Sequence, residues 1–447
     1  MNIIMPPQVE FIINRLTSQG HEAYIVGGCV RDSILGLEPN DWDVATSALP
    51  DQINLAFQGN KRIQTGVKHG TISVLIDHMP IEVTTYRIDG EYSDNRHPDA
   101  VCFTLNLKED LARRDFTINA LAYNQSNGMI DCFGGAQDII AKRIRCVGEP
   151  DLRFHEDGLR ILRALRFSAV LGFTIEDKSS QSILKNFGLL DNIARERIQN
   201  EFSKLLCGRN IKAVLMDYRE VIGQFIPEIN AMVGFMQHNN HHIYDVWQHT
   251  LNSVESIEPG LILRMTMLLH DIGKPHCYTQ DENGVGHFYG HGEKSTEMAG
   301  IILRRLKYDS NTMNTVTELV RLHDSPISPD EKSIKHRLNQ LGENTLRLLL
   351  KVKAADVAAQ NPIYSDRLNE INKIELMLDD VIARGQCFSV KDLQINGVDL
   401  LAIGVPEGSE IGTMLSALLN TVIEDKLTNE HGALMNQAQF MKDKENE

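Results

Sequence analysis

Hydrophobic and polar positions follow two different periods along this chain, and the change falls near residue 140. Before it, short β-rich runs (AYIV, DWDVA, TISVLI, IEVTTYR and ALAYN) alternate with turn residues. The alternation within TISVLI and IEVTTYR, separated by DHMP, predicts a hairpin. Beyond residue 140 apolar residues recur three and four apart, as in Leu159, Leu162 and Leu165, which is the helical period. The pattern predicts an α+β head followed by an all-α remainder. No internal repeat or low-complexity tract interrupts it, and the polar end KDKENE predicts frayed residues.

Composition narrows this picture. A chain of 447 residues is too long for one ordinary core, so several domains are expected. An apolar fraction of 42% and a charged fraction of 23% are those of a folded, soluble protein. No run approaches the ~20 apolar residues of a membrane span, and MNIIMPPQVEF lacks the features of a secretory signal. A cytoplasmic protein with no membrane partner is therefore expected. The seven cysteines are scattered without a CxxC pair, which argues against a disulfide framework or a zinc ribbon. The net charge of −15 argues against broad, non-specific nucleic-acid binding. Two local basic stretches, Lys142 to Arg166 and Arg195 to Lys212, still leave room for such a partner.

The stretch VGGCVRDSILGLEPNDWDVATSALP carries the first candidate chemistry. In a strand Asp41 and Asp43 point the same way, with Trp42 and Val44 opposite. Two carboxylates on one face repel unless a cation separates them, and Mg²⁺ suits hard oxygen ligands and substrate phosphate. Gly27 and Gly28, after the run AYIV, permit the close backbone approach a triphosphate needs. Glu82, on a later strand, offers a third carboxylate. A plain solvent-facing pair of aspartates is the alternative.

GGCVRDSILGLEPNDWDVAT resembles the first motif of the class II tRNA nucleotidyltransferases, of the polymerase β nucleotidyltransferase superfamily. ARRDFTINALAY, DCFGGAQDI, EDGLRILRALRF and ERIQNEF resemble the second to fifth motifs, in order, over residues 20 to about 205. The resemblance implies a polymerase β-like mixed sheet in the head. It also implies two-metal nucleotidyl transfer, with Asp41 and Asp43 holding Mg²⁺, Glu82 as a further ligand, and pyrophosphate leaving. Gly27, Gly28, Arg31 and Asp32 would shape the phosphate site. Arg113, Arg114 and Asp115 would contact triphosphate and ribose, and Asn119, Arg163 and Arg166 would complete the nucleotide site.

In the fourth motif, Asp157 and Arg160 would share a helix face, while Glu156 and Arg160, four apart, can pair. An accepting carboxylate beside a donating guanidinium suits the Watson–Crick edges of cytosine and adenine and mismatches guanine and uracil. By the resemblance, CTP and ATP are the substrates, and C, C and A are added without a template to the tRNA 3′ end. The segment Arg87 to Asp110 resembles the flexible element missing from CC-adding relatives. Enzymes adding only A, and poly(A) polymerases, remain alternatives.

The resemblance also implies a head over residues 1–140, a helical neck over 141–210, a body over 211–370 and a tail over 371–447. Body and tail would hold the tRNA acceptor and T arms. Within the body, His249, His270, Asp271 and Asp356 follow the order of HD-domain phosphohydrolases. Imidazoles with carboxylates suit a transition metal, Mn, Ni, Fe or Co, able to activate water on a phosphate ester. His291 and His323 could serve a second ion, while HNNHH (His238 to His242) is read as loop. The alternative from another class is an HD-domain, metal-dependent phosphohydrolase acting on RNA ends or nucleotides. Both monomer and homodimer stay open.

Overall fold

The computed structural model describes residues 2–63, 66, 69–90 and 100–445. Part of the expected flexible element, residues 91–99, and Thr65, Val67 and Lys68 of TGVKHGTISV lie outside the described residues. The chain divides into two compact units, Met1–Pro227 and Glu228–Glu447.

Seven of the described strands of the first unit make one mixed sheet: β1 (Ala23–Val26), β2 (Asp43–Thr46), β3 (Lys61–Ile63), β4 (Thr71–Ile76), β5 (Met79–Thr85), β8 (Leu121–Asn124) and β9 (Gly128–Asp131). A separate ribbon, β6 (Arg87–Asp89) with β7 (Val101–Phe103), branches off after β5. The sheet order is β3-β4-β5-β2-β1-β8-β9. The expected hairpin is β4 and β5, but its loop is two residues rather than four, pairing Ile76 with Met79. Asp77 and His78 both take positive φ, 45° and 67°, as a tight hairpin turn with matching twist requires. Ile72, Val74 and Ile76 alternate inward along β4, whereas all four residues of β1 are buried because both faces of the central strand are covered. Helix Leu107–Ala112 starts where the Asn106 carboxamide accepts the N–H of Lys108 at 3.0 Å.

The second unit is helical, as the period predicts, with a two-strand ladder (Thr279–Gln280 with Gly286–His287). Helices Val246–Ser256, Leu261–Leu269 and Ser310–Leu322 pack with Glu331–Ala358, which kinks at Gly342, where φ is 73°, and His291–Arg305 packs on Ser310–Leu322. Helices Gly397–Ala402, Ser409–Ile423 and His431–Glu445 close a separate small core around Leu400, Leu418 and Leu434.

Candidate active site

The carboxylates of the head meet through strand register. β2 pairs β5 in parallel, so Asp43 lies opposite Glu82. Asp41 falls just before β2, which begins at Asp43, yet the alternation holds: Trp42 is buried and Asp41 exposed. Burial, then the charges of Asp41 and Glu82, push the Asp43 carboxyl up to about 6, with Arg114 opposing. Three carboxylates gathered here offer oxygen ligands of the kind a hard divalent ion takes. Gly27 takes φ of 79° directly after β1, and a Cβ there would stand 3.0 Å from Arg114 Nη1. Side-chain volume at this turn would displace the guanidinium.

Around this edge the predicted arginines join into one network. Arg31 donates to Asp32 at 2.9 Å and to Asn119 at 2.6 Å. The Asn119 amide donates to Asp115 at 3.1 Å, and Arg163 donates to the other Asp115 oxygen at 2.8 Å. Burial would raise Asp115, but Arg163 and Asn119 outweigh it and hold the carboxyl near about 2. Arg166 reaches Glu201 at 3.2 Å. The Phe167 ring carries Arg31, Arg163 and Arg166 at 5.0, 5.5 and 4.2 Å from its centroid. The three guanidinium groups thus share one ring while each pairs with a carboxylate, Asp32, Asp115 or Glu201, which fixes their orientation.

The base-reading residues differ from expectation in one respect. Asp157 is not on a helix with Arg160. Helix Pro150–Glu156 ends before it, Asp157 takes φ of −144°, and helix Leu159–Leu171 starts afresh. The Asp157 carboxylate accepts the N–H of Leu159 at 3.0 Å, the kind of local side-chain bond that competes with helix continuation. Gly158 lets this break pack on Leu189, whose Cβ would be 3.1 Å from a Cβ at 158. Glu156 and Arg160 do pair, at 2.6 Å. Arg160 also donates to the carbonyls of Arg153 at 3.2 Å and Arg113 at 3.0 Å.

Several participants carry no role in the sequence reading. Arg197 grips Asp157 through both Nη atoms at 3.3 and 2.8 Å. Glu201, four residues on, sits between Arg163 and Arg166. Both belong to ERIQNEF, so the motif marked them without saying what they touch. The third motif is a turn device: Asp131 accepts the N–H groups of Gly134, Gly135 and Ala136 at 2.8 to 2.9 Å.

In the second unit His249, His270, Asp271 and Asp356 come together as their order predicts. His249 Nε2 lies 2.9 Å from Asp356, 3.3 Å from His270 Nε2 and 3.4 Å from Asp271. His291 and His323 approach each other at 3.2 Å and the far oxygen of Asp271 at 3.6 and 3.7 Å. Among the described residues two sets close to metal-ligating distances, His249 with His270 and Asp271, and Asp271 with His291 and His323. Each of the four imidazoles turns its Nδ1 to a backbone carbonyl, at 3.3, 2.7, 2.9 and 2.6 Å for His249, His270, His291 and His323. That leaves every Nε2 pointing inward, the orientation a metal centre uses. Gly273 permits the fold here, since a Cβ would stand 2.6 Å from the Ser295 nitrogen.

Lys274 neutralises Asp271 at 2.7 Å. His270 is raised to about 10 because Asp271 and Asp356 outweigh its burial. A cavity of about 510 Å³ opens onto Asp271, His291, His323 and Asp356. His242, read as loop, lines the same cavity, and burial with the neighbouring Lys274 lowers its pKa to about 2.

No described helix is long and apolar enough to cross a membrane. Family models for the poly A polymerase head domain and for tRNA nucleotidyltransferase domain 2 match residues 23–145 and 290–438, and one for the RNA and SrmB-binding site of polymerase A matches 172–232. A CCA-adding enzyme of Limosilactobacillus fermentum is 33% identical over 438 residues, 96% of this chain and 95% of that protein. One from Enterococcus faecalis is 45% identical over 219 residues, 49% of this chain and 53% of that protein. Among solved structures, the Bacillus stearothermophilus CCA-adding enzyme in complex with CTP aligns with TM-score 0.71 and 27% identity, over 99% of both chains. The Thermotoga maritima CCA-adding enzyme complexed with tRNA shares the fold, at TM-score 0.60 and 19% identity, over 98% of this chain and 96% of that one.

Proposed function

This chain belongs to the CCA-adding enzymes, and from that premise we propose how its residues divide the work. It is a tRNA nucleotidyltransferase that uses CTP and ATP to add C, C and A to the tRNA 3′ end. In this reading Asp41 and Asp43 hold the divalent ion, Mg²⁺, with Glu82 as a further ligand. When bound, the ion supplies charge neutralisation for the triphosphate and eases loss of the proton from the attacking 3′-hydroxyl.

The chain's own residues do the rest. Gly27 and Gly28 let the backbone approach the phosphates, while Arg31, Arg114, Arg163 and Arg166 offset their charge. Arg113, Asp115, Asn119 and Asp32 fix those groups in place. Asp157 and Arg160 read the base edge, Glu156 orients Arg160, and Arg197 holds Asp157 in the helix break. The observation that carries this reading is the register of Asp43 against Glu82, with Asp41 two residues upstream. We place the head at 1–140, the neck at 141–210, the body at 211–370 and the tail at 371–447, the last two holding the acceptor and T arms, in a cytoplasmic enzyme.

The test uses three tRNA transcripts, ending at the discriminator base, in C and in CC. Each is incubated with Mg²⁺ and labelled CTP or ATP, alone and together, and resolved at single-nucleotide length. Complete CCA on the first is expected. Extension of only the CC-ending transcript, or long A tails, would replace the reading with A addition or poly(A) synthesis.

A second reading is favoured by the four imidazoles whose Nε2 atoms converge on Asp271. The helical unit would hold a transition metal through His249, His270, Asp271 and Asp356. It would hydrolyse phosphate esters of RNA ends or nucleotides in the adjoining cavity. Phosphate release from phosphorylated RNA ends, with Mn²⁺ or Ni²⁺ added and with His270→Ala as control, checks it. No release with either metal would remove it.

A further inference from the structure

Asp110 is named in no motif role above, yet it is among the most completely enclosed charges of the head, at 0% exposure. A carboxylate without solvent is costly unless cations and donors surround it. One of its oxygens accepts from Arg113 Nε at 3.0 Å, from Arg113 Nη2 at 2.8 Å and from the N–H of Arg87 at 3.3 Å. The other faces Arg114 Nη2 at 3.4 Å. Burial pushes Asp110 up, but Arg113 and Arg114 outweigh it and hold it below the usual carboxylate range. It is therefore a fixed negative charge under both arginines of ARRDF.

What those arginines face gives the arrangement its purpose. Arg114 runs on from Asp110 to the β1 turn, where its Nη1 fills the space beside Gly27, and its charge acts on Asp43. Its Nε is buried and has no hydrogen-bond partner among the described residues. The base-reading residues bond to neither Asp110 nor the arginine side chains it holds: Arg160 goes to Glu156 and to the main-chain carbonyls of Arg153 and Arg113, and Asp157 to Arg197. Asp110 thus touches the phosphate-facing half of the site through side chains and the base-facing half through none.

We propose that Asp110 is a positioning residue for nucleotide addition, holding Arg113 and Arg114 in the orientation that receives the incoming nucleotide whatever its base. The proposal rests on the reading of the head as the nucleotide site. It predicts that losing the Asp110 charge weakens the use of CTP and ATP alike and leaves selection between them untouched. A residue needed only for folding would act through stability instead.

The experiment uses the full chain, with Asp110→Asn, Asp110→Glu, Arg113→Gln and the double variant Asp110→Asn with Arg113→Gln. Single-nucleotide addition is followed with CTP on a transcript ending at the discriminator base and with ATP on one ending in CC. Asp110→Asn is expected to lower kcat/KM about tenfold or more for both nucleotides, chiefly through KM, with their ratio unchanged within about twofold. Asp110→Glu, which keeps the charge, is expected to recover part of that loss. The double variant is expected to be no worse than the weaker single one, because the two residues act as a unit. Binding of tRNA by fluorescence anisotropy should stay near the parent value, and although Asp110→Asn is expected to lower the melting midpoint by removing one side of a buried ion pair, the variant should remain folded at the assay temperature.

Wild-type kinetics for Asp110→Asn would overturn the proposal. So would a loss that disappears when the assay is run well below the variant's melting midpoint, or an altered CTP-to-ATP ratio. Asp43→Ala run alongside separates the two levels: if that variant still adds nucleotides, the head reading itself fails, whatever Asp110 does.

Discussion

The acidic edge of the head and the histidine cluster of the helical unit are the two places proposed above for a divalent ion, and they are built differently. In the head, Asp41 and Glu82 raise the cost of charging the half-buried Asp43, and the three do not close into a ligand set. In the helical unit, His249, His270 and Asp271 are buried and already at ligating distances, each imidazole locked by a backbone carbonyl. The first arrangement suits an ion that arrives with its triphosphate and leaves with pyrophosphate. The second suits a resident ion. A metal site's degree of assembly before the metal arrives therefore says which partner brings it.

The sharpest way to break this contrast is to remove each set in turn. Asp41→Ala with Asp43→Ala should lower nucleotide addition by about a thousandfold or more, while melting changes little, since like charges held side by side do not stabilise the fold. His270→Ala with Asp271→Ala should leave addition within a few-fold and abolish any metal-dependent phosphate release. If both double variants lose addition equally, the two centres are not separate devices.

Next in size is base selection. Arg160→Ala leaves Glu156 paired to Arg153 alone and removes the donor from the reading edge. Discrimination of CTP over UTP, measured by single-nucleotide extension, should fall about a hundredfold. Arg197→Ala should erode the same ratio less, because it frees Asp157 rather than deleting it.

A chelation experiment then separates resident from borne metal. After exhaustive dialysis against chelator, adding Mn²⁺ at about 100 times its Kd should stabilise the parent by about 2.7 kcal/mol in unfolding, and His270→Ala should show no such gain. Mg²⁺ without nucleotide should give little. The smallest effect concerns Asp115. Its carboxyl is held near about 2 from an ordinary 3.8, so its pairing with Arg163 stabilises the fold above the ordinary value and is lost as pH falls through the folded one. The unfolding free-energy difference between the parent and Asp115→Asn should be about 2 kcal/mol at pH 6 and should vanish toward pH 2.

The change of period at residue 140 made the head and the helical remainder legible, because burial on one face leaves a repeating mark in sequence. The carboxylates and histidines were legible for another reason: their residue types and order are rare enough to point to chemistry. The break at Asp157 was not, since a helix stopped by its own carboxylate looks like a helix when only spacing is read. Asp110, Arg197 and Glu201 were invisible as partners because their meanings come from residues 3, 40 and 38 positions away in the chain, at Arg113, Asp157 and Arg163. His242 was passed over because nothing near it in sequence announces the cavity it lines.

The parallel pairing of β2 with β5 has a further consequence for how this head can vary. Between Asp43 and Glu82 the chain makes a detour through helix Pro50–Ala56 and the β3–β4 strands before returning alongside. Residues can be added to or taken from the connections of that detour without disturbing the site, because only the register of the two strands sets where the acids meet. A single residue deleted between Met79 and Glu82 has the opposite result. It slips β5 by one position and turns the glutamate to the far face of the sheet. Tolerance of length in this enzyme is thus a property of where its strands lock, and a map of accepted insertions would trace that lock directly.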